Sequence, residues 1–161
     1  MGGGTGGCNV TNQLIANGHF DASEITVFDP SAEHFYQPAL TMIGGGVLGK
    51  DEASVKAKES KYLRRPMRSM FPRRVNFVSE AITDYNPDQN EVSTETDSWT
   101  YDFLIVTPGI KLRFEEVEGM KEALEDPDHP VGSIYHPKYS YKTLKMRNEF
   151  KGGNAVFVNP R

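Results

Sequence analysis

One cysteine, Cys8, stands in 161 residues. That count excludes an internal disulfide framework, a cysteine-based metal cluster and a redox disulfide built from this chain alone. Positive charge is also short. The chain has 18 Lys and Arg against 22 Asp and Glu, a net −4 at pH 7, and without a basic footprint nucleic acid is not an expected partner. No apolar run reaches the ~20 residues of a membrane-spanning helix. No charged-then-apolar leader stands at the start, so no secretory signal is expected, and any targeting peptide is expected upstream of Met1. The four histidines, His19, His34, His129 and His136, lack metal-site spacing, so no metal is expected. Apolar residues make up only 37%, which fits long polar connections around a modest core. The length still suits one domain.

Glycine, by contrast, is concentrated at one place. Met1-Gly2-Gly3-Gly4-Thr5-Gly6-Gly7 contains a G-x-G-x-x-G at Gly2, Gly4 and Gly7. Such a loop turns tightly and lets a pyrophosphate approach the backbone. The helix after it offers free N–H groups and a partial positive charge. By itself the pattern is weak, and a five-glycine start also reads as a tail. The next twenty residues strengthen it. Residues 8–17 read as a helix with Val10, Leu14 and Ile15 on one face and Gly18 as its stop. Residues 24–28 read as a strand that closes on Asp29-Pro30. An acid at Asp29 suits hydrogen bonding to a ribose diol and repels a 2′-phosphate, although Asp before Pro is also ordinary turn chemistry. Loop, helix, strand and acid make a βαβ unit without its first β, because no residues stand ahead of the loop for the strand that normally precedes it.

Further along, a short helix is expected near 39–43, a helix over 52–62 within a charged, mobile stretch 49–74, and a strand pair or one bent strand over 75–84. Asn86-Pro87-Asp88-Gln89-Asn90 is a turn by composition. Residues 91–96 and 98–101 extend an antiparallel ribbon, with Trp99 and Tyr101 on one face. Phe103-Leu104-Ile105-Val106 reads as a buried strand ending in Thr107-Pro108-Gly109. A helix follows over 139–150, stopped by Gly152-Gly153, and residues 155–158 begin another strand. Lys138, Lys142, Lys145 and Arg147 read as a solvated helix face, and Asp126, Asp128 and His129 as a polar loop. Cys8 reads as a buried small residue without a redox role.

The segment Asp29-Pro30-Ser31-Ala32-Glu33-His34-Phe35-Tyr36-Gln37-Pro38 with Gly44-Gly45-Gly46 resembles the N-terminal part of animal-type sulfide:quinone oxidoreductases. So do Asn86–Asn90, Tyr101–Val106, Gly109-Ile110-Lys111-Leu112 and Gly152-Gly153-Asn154-Ala155-Val156-Phe157. The resemblance runs over essentially the whole chain. It implies a Rossmann-like α/β fold that binds FAD, with a parallel sheet, a small antiparallel ribbon and no first strand. Residues 1–152 are then an incomplete FAD-binding domain with a ribbon insertion around 75–101, and residues 153–161 the start of a second dinucleotide-binding domain. Gly2, Gly4, Thr5, Gly6 and Gly7 match the family's pyrophosphate loop, Asp29 its ribose acid (usually Glu), Gln37 and Pro38 the loop beside the flavin, and Thr107 and Gly109 a later FAD-contacting turn. Pro108 departs from the small residue commoner there. Residues 65–72 resemble the segment before the adenine-side strand.

The family chemistry is two-electron oxidation of sulfide through a cysteine persulfide and FAD to quinone, in mitochondria. It needs a cysteine pair, and this chain has none. The expectation is therefore part of a longer flavoprotein, inactive alone and without catalytic residues of its own. Membrane attachment is expected only through a C-terminal segment not in this chain. A piece of another FAD- or NAD(P)H-dependent reductase, such as a type II NADH dehydrogenase, and a non-catalytic nucleotide-binding module are the alternatives. Soluble disulfide reductases fit less well, since residues 35–50 hold no cysteine pair.

Overall fold

The computed structural model describes residues 2–158, the side chains of residues 60–62 excepted. Met1 and residues 159–161, the last part of the segment expected to open a second domain, lie outside the described residues. The chain is α/β and divides into two compact units, residues 1–37 with 58–112 and residues 38–57 with 113–161.

In the first unit, α1 spans Thr5–Ala16 and opens directly from Gly4. It starts three residues earlier than the sequence pattern suggested, because Gly6 and Gly7 accept helical geometry when the turn beneath them needs close packing. Asn17 and Gly18 (φ +71°) end it. A 3-10 turn at Ala22–Glu24 follows, closed by a reciprocal capping box between Asp21 and Glu24. Strand β1, Thr26–Phe28, comes next. Residues 33–35 form a strand, β2 (Glu33–Phe35), paired antiparallel with β3 (Arg64–Pro66). β4 (Asn76–Val78) pairs parallel with β1, Val27 opposite Phe77. β5 (Asp84–Asn86), β6 (Glu91–Ser93) and β7 (Ser98–Thr100) make the expected ribbon. Asn90 turns it with φ +51°, a left-handed conformation that Asn tolerates.

The core of this unit gathers Ala22, Val27, Met67, Phe71 and Val75, with Cys8, Ile15, Ile25, Met70 and Phe77 packed against it. Phe71 and Phe77 stack at 5.8 Å. Burying each large side chain here contributes about 1.5–3 kcal/mol. The stretch read as charged and mobile thus supplies much of the core. Its arginines face outward, while Met67, Met70 and Phe71 turn inward at helical spacing. Arg68 is an exception that ties the turn together, its guanidinium donating to the carbonyls of Phe71, Pro72, Arg73 and Val75.

The expected buried strand at residues 103–106 does not form: the segment is extended but lies outside any sheet, with Phe103 77% and Val106 52% exposed. A strand is recognised by its ladder partners, and among the described residues no strand pairs with this segment. Residues 155–158 are likewise extended, exposed and outside any sheet.

In the second unit, α2 (Pro38–Gly44) packs on α5 (Pro137–Glu149), burying Leu40, Ile43, Tyr139 and Leu144. A short helix, α4 (Met120–Glu125), adds Leu124. Helix α3 covers Glu52–Tyr62, as its pattern suggested, and the boundary between the units falls within it. The glycine triplet Gly44–Gly46 is a helix stop. Gly46 (φ +72°) donates to Ile43 O at 2.8 Å and Val47 to Met42 O at 2.8 Å, the paired bonds of a Schellman cap. Lys142 is not simply solvated. Its ammonium donates to the carbonyls of Ala123 (2.6 Å) and Asp126 (2.5 Å) at the end of α4, and burial pushes its pKa down. Lys138 and Lys145 pair with Glu125 and Asp128.

Candidate nucleotide-binding site

The first unit brings the glycine loop, the start of α1, the end of β1 and Thr107 together. Gly2 donates its N–H to Phe28 O at 2.9 Å. Its own carbonyl accepts from Thr107 Oγ1 at 2.9 Å. The fit leaves no room for side chains: a Cβ on Gly2 would strike the Thr107 carbonyl, and one on Gly7 would strike the Gly2 carbonyl. Gly2 also adopts φ +90°, so its lack of a Cβ is needed twice over. Gly3 passes over Met67 and Phe71, where an added Cβ would lie 3.1 Å from Met67 Sδ and 3.3 Å from Phe71. Gly4 faces open space, with nothing near its missing side chain.

The end of α1 is bare. Its N-cap is Gly4, without a side-chain cap, and no acid stands in its first turn. The first bonded amide beyond the cap is Cys8 N–H, to Gly4 O at 2.9 Å. The amides of Thr5, Gly6 and Gly7 are thus the orphan donors of the helix start. The twelve-residue helix adds about half a positive charge there. Chemically, the arrangement accepts an anion.

Asp29 sits beside it. Its carboxylate accepts from Gly3 N–H at 2.6 Å through one oxygen and from Ser31 N–H at 2.8 Å through the other. These bonds lock the loop to the strand end and leave lone pairs for a hydroxyl ligand. The bond to Gly3 was not legible in the sequence, because it joins residues 26 apart. Nor was the Met67–Phe71 floor, although the apolar spacing within an arginine-rich stretch is a usable signal.

Cys8 lies one turn into α1. Its Sγ approaches Met70 O at 3.7 Å and accepts from Asn12 Nδ2 at 3.6 Å. Burial pushes its pKa up, partly offset by the Asn12 hydrogen bond. The thiol form is therefore favoured, the opposite of what a nucleophilic or redox cysteine needs. His34, on β2, is buried, with its Nδ1 lacking any hydrogen-bond partner among the described residues.

Gln37 and Gly109 are exposed, and Gly109 (φ +73°) faces open space. Pro38 is exposed and opens α2 in the second unit. Thr5 and Gly6 lie on the first turn of α1, and a Cβ on Gly6 would lie 3.2 Å from Thr107 Cγ2. Among the described residues no group of three His, Cys, Asp or Glu could hold a metal ion, and no helix is long and apolar enough to cross a membrane.

No family model matches the chain. Among curated proteins it is 32% identical, over 99% of its length, to the mitochondrial sulfide:quinone oxidoreductase of Mus musculus, covering 33% of that protein. It is 30% identical to the mitochondrial sulfide:quinone oxidoreductases of Dictyostelium discoideum, covering 33% of it, and of Schizosaccharomyces pombe, covering 36%, in each case over 99% of this chain. The chain thus spans about a third of the length of the curated relatives it matches. Among solved structures it superimposes on the sulfide:quinone oxidoreductase of Aquifex aeolicus with a TM-score of 0.58 and 22% identity, over 92% of this chain and 30% of that one. This second likeness supports the α/β fold. From end to end the chain is similar to about one third of these sulfide:quinone oxidoreductases.

Proposed function

We propose that this chain supplies the FAD-binding portion of a mitochondrial sulfide:quinone oxidoreductase. The observation that carries this reading is the bare N-terminus of α1 behind a glycine loop whose Gly3 amide is bonded to Asp29 at 2.6 Å. Residues 1–152 belong to the FAD-binding domain, and residues 153–161 lead into the next. Gly2, Gly4, Thr5, Gly6 and Gly7 admit the pyrophosphate, because side chains there would close the approach or remove the turn. The helix amides of Thr5, Gly6 and Gly7 donate to its oxygens. Asp29 accepts from the adenosine ribose hydroxyls. Thr107 holds Gly2 in place, and Gln37, Pro38 and Gly109 line the approach to the flavin ring. When bound, FAD would supply a two-electron carrier between sulfide, the donor, and quinone, the acceptor.

The residues of this chain bind and orient; none performs the sulfur chemistry. Cys8 is the one cysteine, and its thiol is held protonated. Sulfide oxidation of this kind starts with sulfide attacking a cysteine disulfide, one cysteine keeping the incoming sulfur as a persulfide while the other leaves as a thiolate, so it requires a pair of cysteines. The chain alone therefore does not oxidise sulfide, and quinone and membrane contacts lie in segments outside it.

Titration of the chain with FAD, followed by flavin fluorescence, tests the binding reading. Saturable binding that ADP-ribose competes for, and that Asp29→Ala weakens about tenfold, supports it. A chain that leaves flavin emission unchanged up to millimolar concentration refutes it. Sulfide-dependent quinone reduction by the chain alone would refute the assignment of the sulfur chemistry to other segments.

A further inference from the structure

The carboxyl end of α1 carries Asn17-Gly18, the one Asn-Gly pair in the sequence. Asn17 is the C-cap of the helix, with φ −79° and ψ −6°, and Gly18 follows in the left-handed conformation at φ +71°. Both residues are exposed, and nothing lies within 4 Å of the place a Gly18 side chain would take. Gly18 is held by one backbone bond, its N–H donating to Ile15 O at 3.1 Å.

Other asparagines are held or blocked. The side-chain amides of Asn9, Asn12, Asn76 and Asn148 each donate to a backbone carbonyl. The Asn17 amide has no such bond among the described residues. Asn86 and Asn159 precede proline, which has no N–H. Asn90 and Asn154 precede Glu91 and Ala155, whose side chains crowd the following amide. Asn17 alone combines a free amide with a next residue that has no Cβ.

That pairing has a chemistry of its own. The backbone nitrogen of the next residue attacks an asparagine amide when it is unhindered, and glycine hinders it least. The Gly18 nitrogen bonds to Asn17 Cγ, its proton passing to a solvent base. The Cγ–Nδ2 bond breaks, and ammonia leaves with a proton from water. Water then opens the resulting ring at either carbonyl, leaving aspartate or isoaspartate. The ψ of −6° keeps the Gly18 nitrogen turned from Asn17 Cγ, so closure waits for the last turn to fray. An exposed helix end frays at low cost.

We propose that Asn17-Gly18 is a site of spontaneous deamidation, with water as the co-reactant, and that the product weakens α1 from its carboxyl end. The new carboxylate stands at the negative end of the helix macrodipole, with no basic residue in the last turn to offset it. Isoaspartate also lengthens the backbone by a methylene and spoils the left-handed glycine stop. The other end of the same helix opens from the glycine loop, so deamidation loosens the segment that carries that loop.

The chain is incubated in mildly alkaline buffer without nucleotide, so the outcome is independent of flavin binding. Cleavage before aspartate releases residues 1–20, because Asp21 is the first Asp, and fragmentation of that peptide by mass spectrometry places any isoaspartate. The expected result is product at Asn17 forming about tenfold faster than at Asn9 or Asn12 of the same peptide, and none at residue 17 in Asn17→Gln. Asn17→Asp, which carries the charge from the outset, lowers the urea midpoint read by Trp99 emission. No product at Asn17, or equal rates at the three asparagines, overturns the site. A midpoint for Asn17→Asp equal to or above the parent overturns the weakening of α1.

Discussion

Gly7→Ala tests the packing argument at the glycine loop, because two principles give opposite signs. In an exposed helix the change stabilises by about 1 kcal/mol, since alanine is the better helix former. Here the new Cβ would collide with the Gly2 carbonyl and lie 3.1 Å from Thr107 Oγ1. Relief of the clash moves Gly2. Its two hydrogen bonds, to Phe28 O and from Thr107 Oγ1, then lengthen or break at about 1 kcal/mol each. Overpacking adds about 1–3 kcal/mol. Against a gain near 1 kcal/mol, the net is destabilisation by about 2–4 kcal/mol. Gly4→Ala is the control. Nothing lies within 4 Å of the added Cβ and φ is −64°. Its small N-cap loss is offset by the stiffer unfolded chain, for a change within about 0.5 kcal/mol. Urea unfolding followed by Trp99 emission, which reports on the first unit, gives both values. A stabilised or neutral Gly7→Ala would refute the close approach of α1 to Gly2 and with it the geometry of the loop.

Three more outcomes are expected from the same structure. Asp29→Asn keeps one carbonyl acceptor and replaces a charge-assisted bond, so the loop loses about 1 kcal/mol, read by amide exchange at Gly3 and Ser31. Cys8 alkylation by iodoacetamide at pH 8 is slow in the folded chain and accelerates in urea, because Cys8, half-buried rather than fully buried as its sequence suggested, titrates above its ordinary value through partial desolvation. By linkage, that raised pKa contributes stability present below the unfolded thiol value and lost as pH rises through the folded one; Cys8→Ser flattens this alkaline loss, which a pH series of urea midpoints checks. Lys142→Met strands the carbonyls at the end of α4 and costs about 1–2 kcal/mol, seen in the thermal midpoint. A midpoint within about 1 °C of the parent would refute the capping role, since a loss of that size shifts the midpoint by several degrees.

Local signals were legible wherever one segment carried its own reason. Residues 52–62 read as a helix and are one. The ribbon turn at Pro87–Asn90 carried Pro, Asp and Asn, and Asn90 takes the left-handed conformation. Gly18 stops α1 as its position suggested. The charged segment 64–74 misled, because composition weighs its five arginines while the fold weighs the spacing of Met67, Met70 and Phe71. Residues 33–35 became a strand through pairing with residues 64–66, which no local pattern announces.

The sequence by itself determined the α/β alternation, the glycine loop opening a helix, the acid closing a strand and the absence of a redox cysteine pair, since each depends on residue type or on spacing within about one element. Only the tertiary structure decided that Asp29 holds Gly3, that Thr107 clasps Gly2 from 105 residues away, that Lys142 caps another helix, and that residues 103–106 lie outside any sheet formed by the described residues. Those contacts join positions far apart in the chain. Hydrogen bonds and strand pairing are completed by whichever partner the fold brings near, and a strand-forming sequence without a neighbouring strand remains an extended segment.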